Sequence, residues 1–176
     1  MPIWATTKDS DYEVAPEGLW HAVCVDVVDL GIVESKFGQQ VKIEIRWQLE
    51  EKDSKGRPFL IVQRYTPSLH DKSRLKPMLE AWRGRKFTAE EQKKFDIEKL
   101  LGANCQLQII HNIKDEGKTY ANVQAVVPPP RNAASIRPSE DYVRVVNRPR
   151  DYNDSPSYNG KANGHGTNDQ DDRVPF

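Results

Sequence analysis

Apolar and polar residues alternate along much of the chain between residues 18 and 127, which is the pattern of β-strands with one buried face. The clearest example is residues 41–50, where Ile43, Ile45 and Trp47 alternate with polar neighbours. Similar stretches cover residues 18–30, 57–66, 105–113 and 119–127. In the first stretch, Val23 and Val25 fall on one face and Cys24 and Asp26 on the other. The pattern therefore predicts five strands.

The last predicted strand has its own expected sidedness. Ala121, Val123, Ala125 and Val127 are expected to face inward, and Tyr120 outward with the polar residues.

The period of the pattern changes between the third and fourth strands. Leu75, Leu79 and Trp82 fall at helical spacing. Thr88 followed by Glu91 is a capping-box pattern for a second short helix, and Asp96 is a suitable cap for a helical turn at residues 97–101. These signals predict a helical insert.

Five antiparallel strands with a helix between strands 3 and 4 follow the plan of the OB-fold, an all-β barrel that commonly binds oligonucleotides. Three prolines at 128–130 end this predicted domain, which begins at residue 18 after an N-terminal arm of residues 1–17. Residues 131–176 consist mostly of Asn, Asp, Ser, Pro, Gly and Arg. They are expected to form a disordered linker and tail, with only residues 142–146 suited to a strand.

Composition narrows the choice of function. The chain has 26 basic and 26 acidic residues, so its net charge does not mark it as a nucleic-acid binder. Cys24 and Cys105 lie far apart in apolar runs, which predicts two buried, reduced thiols and no metal site. The motifs of nucleotide-binding enzymes, metalloproteases and serine hydrolases are missing, so neither catalytic residues nor a cofactor is expected. The chain shows neither a signal peptide nor an apolar run that spans a membrane, which predicts a soluble protein of the cytoplasm.

Binding of a single strand requires cations for the phosphates and flat rings on which bases stack. The predicted loops and the polar strand faces offer both kinds of side chain. The candidate DNA contacts are Lys36, Phe37, Lys42, Arg46, Arg57, Phe59, Arg64, Tyr65, Arg83, Arg85, Lys86 and Tyr120.

Some of these candidates have a second interpretation. Lys42 and Arg46 share their face with Glu44, which is also the pattern of an ordinary solvated strand. The basic cluster around Gly84 fits phosphate binding and a helix C-terminus equally well.

The segment Asp171-Asp172-Arg173-Val174-Pro175-Phe176 places carboxylates beside an apolar residue, a proline and a phenylalanine. It resembles the C-terminal peptide of bacterial and phage single-stranded DNA-binding proteins. That resemblance implies a partner-binding role in which the ring of Phe176 fills a pocket and the acidic groups meet a basic rim. The implied partner-binding residues are Asp171, Asp172, Val174, Pro175 and Phe176.

The body is similar to phage-encoded OB-fold proteins in three segments, residues 65–70, 80–85 and 117–122. The resemblance implies sequence-independent binding of single-stranded DNA during replication, recombination or repair, with no catalytic step. It implies recruitment of replication and recombination proteins through the tip, in the cytoplasm of a bacterial host if a phage encodes the chain. A homo-oligomer is left open. The alternative is a protein-interaction or virion-assembly module that ignores DNA, and a nuclease is a disfavoured third.

Overall fold

The computed structural model describes residues 13–114 and 117–149, and its centre is one antiparallel sheet of five strands in the order β3-β2-β1-β4-β5. The strands are β1 (Gly18–Ser35), β2 (Gly38–Lys52), β3 (Pro58–Tyr65), β4 (Asn104–Ile113) and β5 (Thr119–Val127). The β-rich class expected from the alternating pattern is confirmed. The two edge strands, β3 and β5, approach each other to within 8 Å between Cα atoms, so the sheet is strongly curled.

The hairpin of β1 and β2 extends beyond the rest of the sheet. β4 pairs with β1 only up to Val23, and the pairing of β3 with β2 reaches no further towards the turn than Ile43. Residues 30–42, called the β1–β2 ribbon below, therefore pair only with each other. Ile32 and Val41 lie directly opposite one another in this ribbon, and both are exposed.

The inner face of the sheet holds the core, built around fully buried Trp47, Ile45 and Leu107. Trp82 packs against Trp47 with 6.0 Å between ring centroids, and its indole N–H donates to the carbonyl of Asn104 at 2.8 Å. The inward face expected for residues 43–49 is thus confirmed.

A β-bulge in β1 alters the expected sidedness of that strand. Pairing with β2 shifts between Cys24 and Asp26, so Val25 is the extra residue. Cys24 joins the core and Asp26 lies on the opposite face, which we call the outer face. The expectation that Cys24 and Asp26 share a face is wrong, because strand parity does not survive an inserted residue.

A second shift in register, after Gln108 of β4, reverses the expected faces of the last residues of β5. Val126 is the buried residue there, and not the expected pair Ala125 and Val127.

The connection from β3 to β4 contains the helical elements. A loop of residues 66–74 separates β3 from helix α1 (Leu75–Arg83), which is followed by α2 (Ala89–Lys93) and a 3-10 helix (Ile97–Leu100). Gly84 ends α1 with a left-handed φ of 71°, a conformation that glycine adopts without strain. Thr88 and Glu91 form both hydrogen bonds of the expected capping box.

Both flanking segments are attached to this body. In the predicted arm, Ala15 is buried and its carbonyl lies 2.6 Å from Nε2 of His111. Residues 131–149, expected to be disordered, follow a defined path over the outer face and contain a 3-10 helix (Val145–Asn147) in place of a strand. We call residues 131–149 the strap. Among the described residues, no helix is long and apolar enough to cross a membrane.

Candidate nucleic-acid interface

Three of the predicted cations come together on the outer face of β2 and β3. Glu44 lies between two of them: its Oε1 accepts from Nε of Arg46 at 2.7 Å and its Oε2 accepts from Nε of Arg64 at 3.2 Å. Lys42 donates from Nζ to Oγ1 of Thr66 at 3.0 Å. The cluster is thus partly buried and carries one carboxylate among its three positive charges.

Asp26 adds a second carboxylate beside this cluster, because it is the cross-strand partner of Arg46. Its side chain is fully buried, yet it accepts three hydrogen bonds from the strap. The donors are Tyr142 Oη at 3.1 Å, Arg144 Nε at 3.1 Å and the Val145 N–H at 2.7 Å. Burial alone would raise the pKa of Asp26, but these three donors outweigh it and hold the pKa below its usual value.

The strap is fastened at two further points. Asn104 of β4 exchanges two hydrogen bonds with the backbone of Ile136, at 2.8 and 3.0 Å. Gln48 of β2 exchanges two more with Ser139, at 2.7 and 2.8 Å. The strap therefore crosses β4, β2 and β1 in turn, held by a polar side chain at each point.

Two hairpin ends carry a lysine above an aromatic ring. At the β1–β2 turn, Lys36 Nζ lies 5.1 Å from the ring centroid of Phe37. At the β4–β5 hairpin, Lys114 Nζ lies 5.1 Å from the ring centroid of Tyr120. Each pair combines the cation and the flat ring that single-strand binding uses.

These two hairpins lie at opposite ends of the sheet. β2 pairs with β1 as far as the C-terminal end of β1, whereas β4 runs antiparallel to β1 from Val23 towards the N-terminal end of β1.

Burial excludes one predicted ring contact and limits a second. Tyr65 is the cross-strand partner of Ile43, so it points into the core and is only 4% exposed. Phe59 packs against the same core and is partly buried. The buried ring of Tyr65 therefore offers no open face for a base, whereas the side chain of Phe59 remains partly exposed.

Arg57 has a local role in the turn between β2 and β3. Its guanidinium lies 2.7 Å from Asp53, whose carboxylate also accepts from the backbone N–H of Arg57. The side chain remains more than half exposed, so it is still available to a ligand.

The basic cluster of the helical insert is organised by Glu91. Its carboxylate accepts from Arg83 at 2.8 Å and from Arg85 at 3.2 Å. The hydrogen bond from Arg83, followed by that from the Thr88 backbone, lowers the pKa of Glu91 to about 2. Arg83 also lies over the ring of Phe87 at 4.3 Å, which favours the structural interpretation for that residue. Lys86 remains exposed.

The sequence did not point to the residues that fasten the strap: Asp26, Gln48, Asn104, Ser139, Tyr142 and Arg144. The one available signal was Asp26, a single carboxylate within the apolar run of residues 22–28. Such a group is buried only when it has partners.

The predicted partner-binding residues Asp171, Asp172, Val174, Pro175 and Phe176 lie outside the described residues. Within residues 13–114 and 117–149, no cluster of His, Cys, Asp and Glu is arranged to hold a metal ion.

Neither a protein-family model nor a curated protein sequence matches this chain.

Proposed function

We propose that the protein binds single-stranded nucleic acid through an OB-fold barrel. The strand order β3-β2-β1-β4-β5, together with the close approach of β3 and β5, supports a five-stranded barrel that is left partly open. OB-folds bind oligonucleotides on the face of strands 2 and 3 and with the loops that join strands 1–2 and 4–5.

One observation carries the proposal. The lysine–ring pairs lie in the two hairpins that an OB-fold uses for ligands, and the arginines of β2 and β3 lie on the face between them. Rings of Phe37 and Tyr120 would stack with bases, and Arg46 and Arg64 would meet phosphates. Every base has a flat face, so binding of this kind is independent of sequence.

The charges on the outer face suggest moderate electrostatic affinity. Lys42, Arg46 and Arg64 are opposed there by Glu44 and Asp26, which leaves one net positive charge. We therefore assign a large part of the affinity to stacking, which contributes about 1–3 kcal/mol per base. The salt dependence should be shallower than that of a strongly basic protein.

Fluorescence anisotropy with a labelled thymidine 20-mer tests the proposal. We expect saturable binding at low salt, weaker binding as salt is raised, and a clear preference over a duplex of the same length. Absence of binding at low salt, or equal affinity for the duplex, would overturn the proposal. A matched uridine oligomer then decides between DNA and RNA.

We further propose that the protein acts in replication, recombination or repair in a bacterial cytoplasm, and that residues 171–176 recruit partner enzymes. The support is the acidic segment with Phe176 described above. Deleting residues 171–176 should abolish pull-down of replication proteins and leave strand affinity equal or higher. Loss of strand affinity in this truncation would assign the tip a different role.

A second candidate function is a protein-interaction or assembly module. The exposed cross-strand pair of Ile32 and Val41 on the β1–β2 ribbon favours it, because apolar ribbon surface suits a protein partner better than a phosphate chain. The anisotropy experiment separates the two functions, since this module would leave the oligomer unbound.

A further inference from the structure

The strap lies on the outer face of the sheet, where the proposed function places the single-stranded nucleic acid. Its contacts reach Gln48 of β2 and Asp26 of β1, and Asp26 is the cross-strand partner of Arg46. Tyr142 of the strap also contacts Arg46. Burial would lower the pKa of the Arg46 guanidinium, but Glu44 and, to a smaller extent, Tyr142 raise it above its usual value. A nucleic-acid strand that reached Arg46 would meet the strap first.

We propose that the strap is an internal competitor for the strand-binding face, that Asp26 is the latch holding it, and that a bound strand displaces it. This inference rests on the proposed function and adds a regulatory contact to the same site.

The way in which the strap is fastened makes it displaceable. None of its residues is fully buried, so its departure would newly expose little apolar surface of the strap. Its attachments are hydrogen bonds to Asn104, Gln48, Asp26 and Arg46, together with the ion pairs of Arg144 with Asp26 and Glu98. Water can replace such bonds when the strap leaves, because the groups that it covers are polar.

The negative charge of Asp26 favours the docked strap over a bound nucleic-acid strand. With the strap in place, the carboxylate is matched by Arg144, which also bonds Glu98 at 3.0 Å. With the strap gone, the same carboxylate would face the phosphates of an incoming strand and repel them. Asp26 therefore favours the strap over the strand in two ways.

This double role allows a sharp test in the full-length chain. Arg144→Gln loosens the strap but leaves the Asp26 carboxylate in place and unmatched. If the strap competes with the strand, this variant binds a thymidine 20-mer more tightly, by about threefold to tenfold. If Asp26 acts only by repelling phosphates, the same variant binds more weakly. Asp26→Asn should bind more tightly under either mechanism, so Arg144→Gln decides between them.

A readout without nucleic acid follows the strap directly. The Val145 N–H donates to Asp26, so its hydrogen exchange reports docking. Exchange should accelerate at least tenfold in Asp26→Asn and Arg144→Gln. Arg137→Gln is the matched control, since it removes the same charge from an exposed strap position. Tyr142→Phe removes only one bond to the latch and serves if a stronger variant fails to fold.

The outcomes separate this inference from the proposed function. Binding of the oligomer with faster Val145 exchange in the wild-type complex supports both. Binding with unchanged Val145 exchange overturns the competition and leaves strand binding intact. No binding by the wild type or by any strap variant overturns the proposed function and this inference together.

Discussion

Asp26 Oδ1 accepts a hydrogen bond from Arg144 Nε at 3.1 Å, although the two residues are 118 positions apart in the chain. The contact joins the bulge of β1 to the strap. It gives a buried carboxylate the cation that it requires, and it fixes the strap beside Arg46, the cross-strand partner of Asp26.

Acid should release the strap. Because its hydrogen bonds lower the pKa of Asp26 despite burial, the ionised carboxylate stabilises the docked state. This contribution is fully present above the unfolded pKa of about 3.9 and is lost as pH falls through the lower folded pKa. The Val145 amide resonance, followed by NMR against pH, should show the transition. Asp26→Asn should lack it, and a transition that persisted in this variant would contradict the assignment.

Removing either hairpin ring should weaken strand binding. Phe37→Ala and Tyr120→Ala should each cost about 1–3 kcal/mol, which is about 5-fold to 150-fold in the dissociation constant for a thymidine oligomer. Tyr65→Phe is the control, because that ring is buried in the core and should not contact a base. Equal losses in all three variants would show that the rings act through stability.

Glu44→Gln should have opposite effects on stability and on strand binding. The buried carboxylate serves both Arg46 and Arg64, so its neutralisation should lower the free energy of unfolding by about 1–3 kcal/mol. The same change removes a negative charge from the outer face and should raise strand affinity. Denaturant unfolding and anisotropy measure the two effects. Glu50→Gln, an exposed carboxylate of β2, should change stability little, and similar losses in both would contradict the assigned role of Glu44.

Arg83 and Arg85 should behave differently although both contact Glu91. Arg83 has only 15% of its side chain exposed and lies over Phe87, so Arg83→Gln should lower the free energy of unfolding by about 1–2 kcal/mol. Arg85 is 60% exposed, so Arg85→Gln should leave stability nearly unchanged and weaken strand binding slightly. Lys86→Gln should resemble Arg85→Gln. If Arg85→Gln and Lys86→Gln leave strand affinity unchanged, the helical insert does not contact the nucleic acid.

Both thiols should resist modification in the native protein. Burial raises the pKa of Cys24 to about 12 and also raises that of Cys105, and neither residue forms a disulfide. A colorimetric thiol reagent at pH 8 should react slowly with the native chain and with both residues after denaturation. A rapid reaction of either thiol in the native protein would contradict this burial.

The alternating pattern predicted those parts of the fold that depend on local sequence. Residues 43–49 face the core as expected, and Thr88 and Glu91 form the expected cap, because each signal lies within a few residues of chain. The bulge at Val25 left no such signal. Pairing with β2 creates it, and it reverses the side on which Asp26 lies.

The candidate site was less accessible to sequence reasoning. The sequence predicts Lys42, Arg46 and Arg64 as cations on a strand face, but it does not predict the bonds of Glu44 to the two arginines or the contact of the strap with Arg46. Gln48 and Ser139 are 91 positions apart, and no periodic pattern connects residues across such a distance. The sequence predicts Tyr65 as a DNA contact, because the pairing with Ile43 that turns it into the core depends on the strand register.

Docking of the strap also determines how many residues separate the attached part of the described chain from residues 171–176. While the strap is docked, the attached part of the described chain extends to Pro149; with the strap released, it would extend only to Pro130. The 19 residues gained span at most about 65 Å when fully extended. A released strap would let the tip reach partners farther from the sheet, while its local concentration near any one of them would fall.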